Sequence, residues 1–124
     1  MASLFGLFSI PDPLNAAASP SELKRRLDWG EPALTIIDIR SRRDFNHSHI
    51  MGAVSIPEAD LMKGVSSLEF ERDIYIYGDT DEQATAAAES LRRAGYQSVA
   101  ELRGGLPAWS AIKGAVETGR LAVA

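Results

Sequence analysis

No cysteine occurs among the 124 residues. That absence excludes a disulfide framework, a thiolate nucleophile, a Cys-x-x-Cys redox pair and any zinc site built on sulfur. It leaves the redox compartment open, since a chain without thiols tolerates either state. Long apolar runs are missing too. No stretch approaches the roughly 18 apolar residues of a spanning helix, so no transmembrane segment is expected. Nor is there an excess of positive charge: 13 Lys and Arg stand against 17 Asp and Glu, for a formal net charge of −4. A phosphate-backbone binder needs a basic stripe. Lys24-Arg25-Arg26, Arg40-Ser41-Arg42-Arg43 and Arg92-Arg93 are short and mixed with acids, and they read as solvated faces. No nucleic-acid partner is expected. Internal repeats and low-complexity tracts are lacking as well.

What is present is ordinary for a globular domain, with 45% hydrophobic and 24% charged residues. The length suits one domain that can build a core without disulfides or a structural metal. Residues 1–18 read as an apolar arm carrying Leu4, Phe5, Leu7, Phe8 and Ile10. No Lys or Arg precedes this run, and Pro11-Asp12-Pro13 breaks it, so it does not fit a signal peptide. The arm is expected to pack on its own domain, a dimer or partner contact and then a weak membrane touch being the alternatives, and the location to be cytoplasmic. Residues 19–119 form the domain and 120–124 a short tail.

Ser19-Pro20-Ser21-Glu22 is a helix start: Ser19 caps, Pro20 fits the first position, and Glu22 completes a capping box. Leu23 and Leu27 share a face of that helix, and Gly30 and Pro32 end it. Ala33 to Ile39 is a nearly continuous apolar run with Asp38 near its carboxyl end, as in a buried strand. Ala53 to Ile56 is a second strand, Glu58 to Val65 a short helix, and Asp73 to Tyr77 a third strand bounded by Gly78. Residues 82–94 form a helix with Ala84, Ala87, Ala88 and Leu91 on one face, followed by Gly95. Ser98 to Leu102 is another strand. Gly104-Gly105 makes a turn, and Pro107 opens a last helix bearing Trp109 and Ile112. Residues 114–124 carry no clear pattern. Strands alternating with helices predict an α/β fold: a central, mainly parallel sheet with helices on both faces. Ligands of such sheets lie beyond the carboxyl ends of the strands, which directs attention to Asp38-Ile39-Arg40 and to the loop after Tyr77.

In order and spacing, several segments resemble those of a rhodanese-like domain, the family that includes single-domain sulfurtransferases. They are Ile37-Asp38-Ile39-Arg40, Asp44-Phe45, His49-Ile50 with Gly52-Ala53 and Ser55-Ile56-Pro57, the strand ending at Tyr77, Leu91 with Ala94-Gly95-Tyr96, and Arg103-Gly104-Gly105-Leu106-Pro107-Ala108-Trp109. The resemblance covers roughly residues 19 to 119. It implies a cysteine directly after the strand that ends at Tyr77, at the start of a tight loop whose amides point inward. The thiolate takes sulfur from a donor, holds it as a persulfide and passes it on. Amides and a helix N-terminus favour such anionic sulfur. Counting back from Ala94-Gly95-Tyr96, the cysteine position is Gly78, and no neighbouring residue supplies a thiol.

The loop reads Gly78-Asp79-Thr80-Asp81-Glu82-Gln83. Asp79, Asp81 and Glu82 would repel anionic sulfur donors and compete for the loop amides. Asp79-x-x-Glu82 and Thr80-x-x-Gln83 both also fit capping-box spacing. Three oxygen ligands without a full set predict no metal, and no partner lysine or metal constellation accompanies an aspartyl nucleophile. Asp38 and Arg40 are expected to form a hydrogen-bonded pair that supports the loop. His47 and His49 lack a third ligand, and His49 reads as structural. Trp109 reads as core and Trp29 as half-exposed. The chain is therefore expected to be a non-catalytic rhodanese-like domain, without cofactor, acting as a protein-binding or regulatory module. Alternatives are a sulfurtransferase component that relies on a partner's cysteine and an assembly protein that uses the N-terminal arm. The oligomeric state is not legible in the sequence.

Overall fold

The computed structural model describes residues 14–30 and 33–119. The apolar arm from Leu4 to Ile10 and the tail 120–124 lie outside the described residues. Five strands form one parallel sheet: β1 (Ala17–Ala18), β2 (Leu34–Asp38), β4 (Val54–Ser55), β5 (Asp73–Tyr77) and β6 (Val99–Leu102), in the order β1-β6-β5-β2-β4. Ala17 and Ala18, read in sequence as part of the arm, pair with Glu101 and Leu102.

Alternation along the strands sends side chains to two cores. Ile37, Ile74, Ile76 and Val99 face α3 (Leu61–Gly64) and α4 (Asp81–Arg93), where they meet Leu61, Ala87, Ala88 and Leu91. Ile36, Tyr75, Tyr77, Ala100 and Leu102 face the other way, toward Leu23 of α1 (Pro20–Asp28) and Trp109 of α5 (Gly105–Ala111). Helices thus cover both faces, and the small residues of α4 allow it to lie close on the sheet.

The helix boundaries follow local chemistry. Ser19 and Glu22 make the reciprocal capping box of α1. Residues 58–64 divide into a 3-10 turn, Glu58–Asp60, and the single-turn α3. At α5 the expectation is corrected: the helix opens at Gly105, not Pro107. Gly104 (φ 79°) and Gly105 (φ 55°) both adopt left-handed backbone, which glycine reaches without steric cost. Pro107 then lies in the first turn, where its missing N–H costs no intrahelical bond.

Three elements, one helix and two strands, had no clear sequence signal. Helix α2 (Arg42–His47) is capped by Ser41, whose Oγ accepts from Asp44 N–H at 3.1 Å. Strand β3 (Ser48–Ile50) pairs antiparallel with β7 (Val116–Thr118), so part of the segment read as patternless is a strand. Among the described residues no helix is long and apolar enough to cross a membrane.

Candidate functional site

The register between β2 and β5 places Asp38 beside Tyr77, at the carboxyl ends of neighbouring strands. Ile39 continues the pairing, its N–H donating to Tyr77 O at 3.0 Å. Gly78 follows Tyr77 out of the sheet beside Ile39, and Arg40 comes one residue later. Asp38 is fully buried. Its Oδ2 accepts from Arg40 Nη2 at 2.7 Å and its Oδ1 from Arg40 N–H at 2.9 Å and Nε at 3.1 Å. Arg40 Nη2 also donates to Ser48 O at 2.7 Å, so the pair ties the end of β2 to β3. The guanidinium carbon lies 5.6 Å from the centre of the Tyr77 ring, within cation–π range.

Two ionisations are displaced by this arrangement. Burial, followed by hydrogen bonding to Asp38, pushes the Tyr77 phenol well above its ordinary value. Its oxygen meanwhile accepts from Ile50 N–H at 3.1 Å. Burial alone would lower the Arg40 pKa, but hydrogen bonding and attraction from Asp38 outweigh it and hold the guanidinium above its usual range.

The loop after β5 runs from buried Gly78 into the first turn of α4. The cap is Thr80, whose Oγ1 accepts from Gln83 N–H at 3.1 Å. Gln83 does not close a capping box on Thr80. Its Oε1 reaches one residue further back and accepts from Asp79 N–H at 2.7 Å, while Nε2 donates to Glu58 Oε1 at 3.1 Å. Asp81 turns away to the start of α5, accepting from Gly104 N–H at 2.9 Å. Asp79 and Glu82 are exposed. Gly105 lies beneath the loop, and a β-carbon added to it would stand 3.3 Å from Gly78 O.

The acidic character extends beyond the residues singled out in sequence. Asp81, Glu82, Glu89 and Glu101 line a groove of about 340 Å³ together with Thr85 and Arg103. Glu101 is buried, accepts from Thr85 Oγ1 at 2.6 Å and pairs with Arg103 Nε at 3.2 Å. Glu58 and Glu101 were missed because each reaches this end of the molecule from a separate element. Among the described residues no group of three or more His, Asp or Glu is arranged to hold a metal.

The histidines do not enter the loop. His49 stacks on Phe45, with ring centres 3.7 Å apart; its Nδ1 lies 2.7 Å from Phe45 O and its Nε2 3.0 Å from Glu117 Oε1. His47 is exposed. Trp109 is core and donates to Ala115 O at 2.8 Å. Trp29 is 80% exposed, more open than its sequence position suggests, because it caps α1 beyond the face that Leu23 buries.

The fold that carries this site has counterparts in known proteins. The family model for the rhodanese-like domain matches residues 19–112. The chain belongs to the rhodanese-like domain family. The crystal structure of the Alr3790 protein from Anabaena sp. superposes on this rhodanese-like chain with a TM-score of 0.79. It is 50% identical, over 82% of this chain and 92% of that one. The uncharacterized protein YqhL of Bacillus subtilis is 30% identical over 74 residues, 60% of this chain and 59% of its own length. A Mycobacterium tuberculosis protein described as a probable adenylyltransferase/sulfurtransferase, MoeZ, is 31% identical over 94 residues, 74% of this chain. The matched region is only 24% of MoeZ, so the rhodanese-like chain corresponds to part of such relatives. With no cysteine anywhere in its sequence, this rhodanese-like domain has no thiol nucleophile for sulfur transfer.

Proposed function

We propose that this domain is a non-catalytic rhodanese-like module that binds another protein through the face formed by Gly78–Gln83 and the adjoining acidic groove. The observation that carries this reading is the loop itself. Glycine stands where the family's nucleophile is expected, and Asp79 and Glu82 are exposed beside it. Exposed carboxylates disfavour anionic sulfur donors and favour a basic surface. Asp38 and Arg40 act as supports, holding the strand ends from which the loop springs. The breadth of the acidic rim, which takes in Glu89 and Glu101, suits a protein surface better than a small molecule.

Two measurements test the proposal. In a thiosulfate:cyanide sulfur-transfer assay the native domain should give no more product than a heat-denatured control; turnover well above it would refute the non-catalytic half. For the binding half, the immobilised domain should retain a protein from the source cell that the variant Asp79→Ala/Asp81→Ala fails to retain. Equal retention by both would remove the loop as the binding face.

A further inference from the structure

Gly78 and Gln83 stand in a relation that neither helix capping nor the acidic rim explains. The backbone of Gly78 lies outside the left-handed region, so its conformation admits an L side chain. The space does not. A β-carbon on Gly78 would collide with Oε1 of Gln83 and would lie 3.0 Å from Gln83 Cδ and 3.0 Å from Ile39 Cγ1. That same Oε1 accepts from Asp79 N–H, and Nε2 at the other end of the amide donates to Glu58. Both ends of one side chain are therefore held, one by the loop and one by the 3-10 turn across from it.

We propose that Gln83 is an internal plug: its neutral amide fills the space that a side chain at position 78 would take and fastens the loop shut onto Glu58. Being part of the chain, it needs no association step and is always at hand. A carboxamide suits the place, since its oxygen accepts from an amide N–H while its nitrogen meets a carboxylate. A glutamate there would set two acids against each other. The plug operates whether or not the acidic rim meets a protein. It also gives a reason beyond charge for the loop to stay silent: restoring a thiol at position 78 would not by itself restore an open loop.

The test is a double-mutant cycle between positions 78 and 83. Gln83→Ala alone should lower the Tm, because two hydrogen bonds are lost, and should speed hydrogen exchange at the Asp79 amide. Gly78→Cys alone should also lower the Tm. In the pair Gly78→Cys/Gln83→Ala the Tm should recover relative to Gly78→Cys, so the same Gln83→Ala change reverses its sign between backgrounds. The introduced thiol should displace iodide from iodoacetamide about tenfold faster in the pair than in Gly78→Cys alone. A Gln83→Ala effect on Tm that is equal in both backgrounds would overturn the plug. So would an equal gain in thiol reactivity from Asp79→Ala in place of Gln83→Ala, since that would assign the block to charge. Should Gly78→Cys fail to fold, the Asp79 amide decides: faster exchange in Gln83→Ala supports the plug, and unchanged exchange overturns it.

Discussion

Asp38 has no exposed surface, and the fold accommodates its charge through Arg40, whose side chain retains only 11% of its own exposure. Such a pair matters more when broken than when intact, because the remaining ion is left without compensation. Asp38→Asn keeps the shape and removes the charge; it should cost about 3 kcal/mol, read as a lower midpoint in urea. Tyr77 sets a second test. Its phenol pKa is raised in the fold, by burial first, whereas in the unfolded chain it is near 10. The folded state therefore holds this proton more tightly. Its contribution is complete below about pH 10 and is lost progressively above that, as the unfolded phenol ionises and the folded one does not. Urea midpoints measured from neutral into alkaline pH should fall for the native protein, and the part of the fall due to this group should vanish in Tyr77→Phe. That variant should already be weaker at neutral pH, because the buried Ile50 N–H loses its acceptor. At this scale the sequence was partly readable. An acid and an arginine two residues apart at a strand end are placed to meet each other, so Asp38 with Arg40 was legible, whereas the reach of Arg40 to Ser48 O and the Tyr77 ring was not. Gln83 was legible as a capping residue but not in its reach to Asp79 and Glu58, because a spacing of three predicts a bond to the cap and says nothing of a side chain that passes beyond it.

Helix α4 is the element on which the site depends, and its first turn is held from two sides. Thr80 caps it, and Asp81 fastens it to the turn before α5. Thr80→Ala should cost about 1 kcal/mol, measurable as a drop in thermal midpoint, with the loss concentrated in exchange of the first-turn amides. Gly105→Ala probes the other side. The left-handed backbone strains any L residue by roughly 1–2 kcal/mol, and the new β-carbon would press on Gly78 O from 3.3 Å. Its midpoint should fall, and resonances of the Gly78–Gln83 loop should shift although the substitution lies outside it. Long elements were the readable ones: the apolar stripe of α4 and the alternation-free run of β2 carry enough residues to declare a period and a burial state. Strands β3 and β7 have three residues each. Their pairing joins positions nearly seventy residues apart, as between His49 and Glu117, and no local pattern announces a partner at that distance.

Across the whole molecule, charge and topology act together. The parallel order of the sheet sends every β-strand of the main layer toward one end, where the loop, Glu58 and the groove at Glu101 gather. A chain of net charge −4 with acids collected there should hold a basic partner by forces that salt screens over about 8 Å at physiological ionic strength. Retention of such a partner should therefore weaken steadily as sodium chloride is raised, and a salt-insensitive complex would point to an apolar contact elsewhere. The layer architecture was legible because alternating elements leave few topologies open, while the acidic end was only half legible, since Glu58 and Glu101 come to it through folding alone. The two tryptophans divide along the same axis. Trp29 caps α1 just before β2 begins, at the end of the sheet away from the loop, and stands in water, whereas Trp109 is sealed at 1% exposure. The protein is thus an optical instrument with two lamps. A soluble quencher should dim the red-shifted emission of Trp29 and spare the blue emission of Trp109 until the core opens. A partner that grips only the acidic end should leave both lights unchanged, so any protection of Trp29 would reveal contact at the opposite pole.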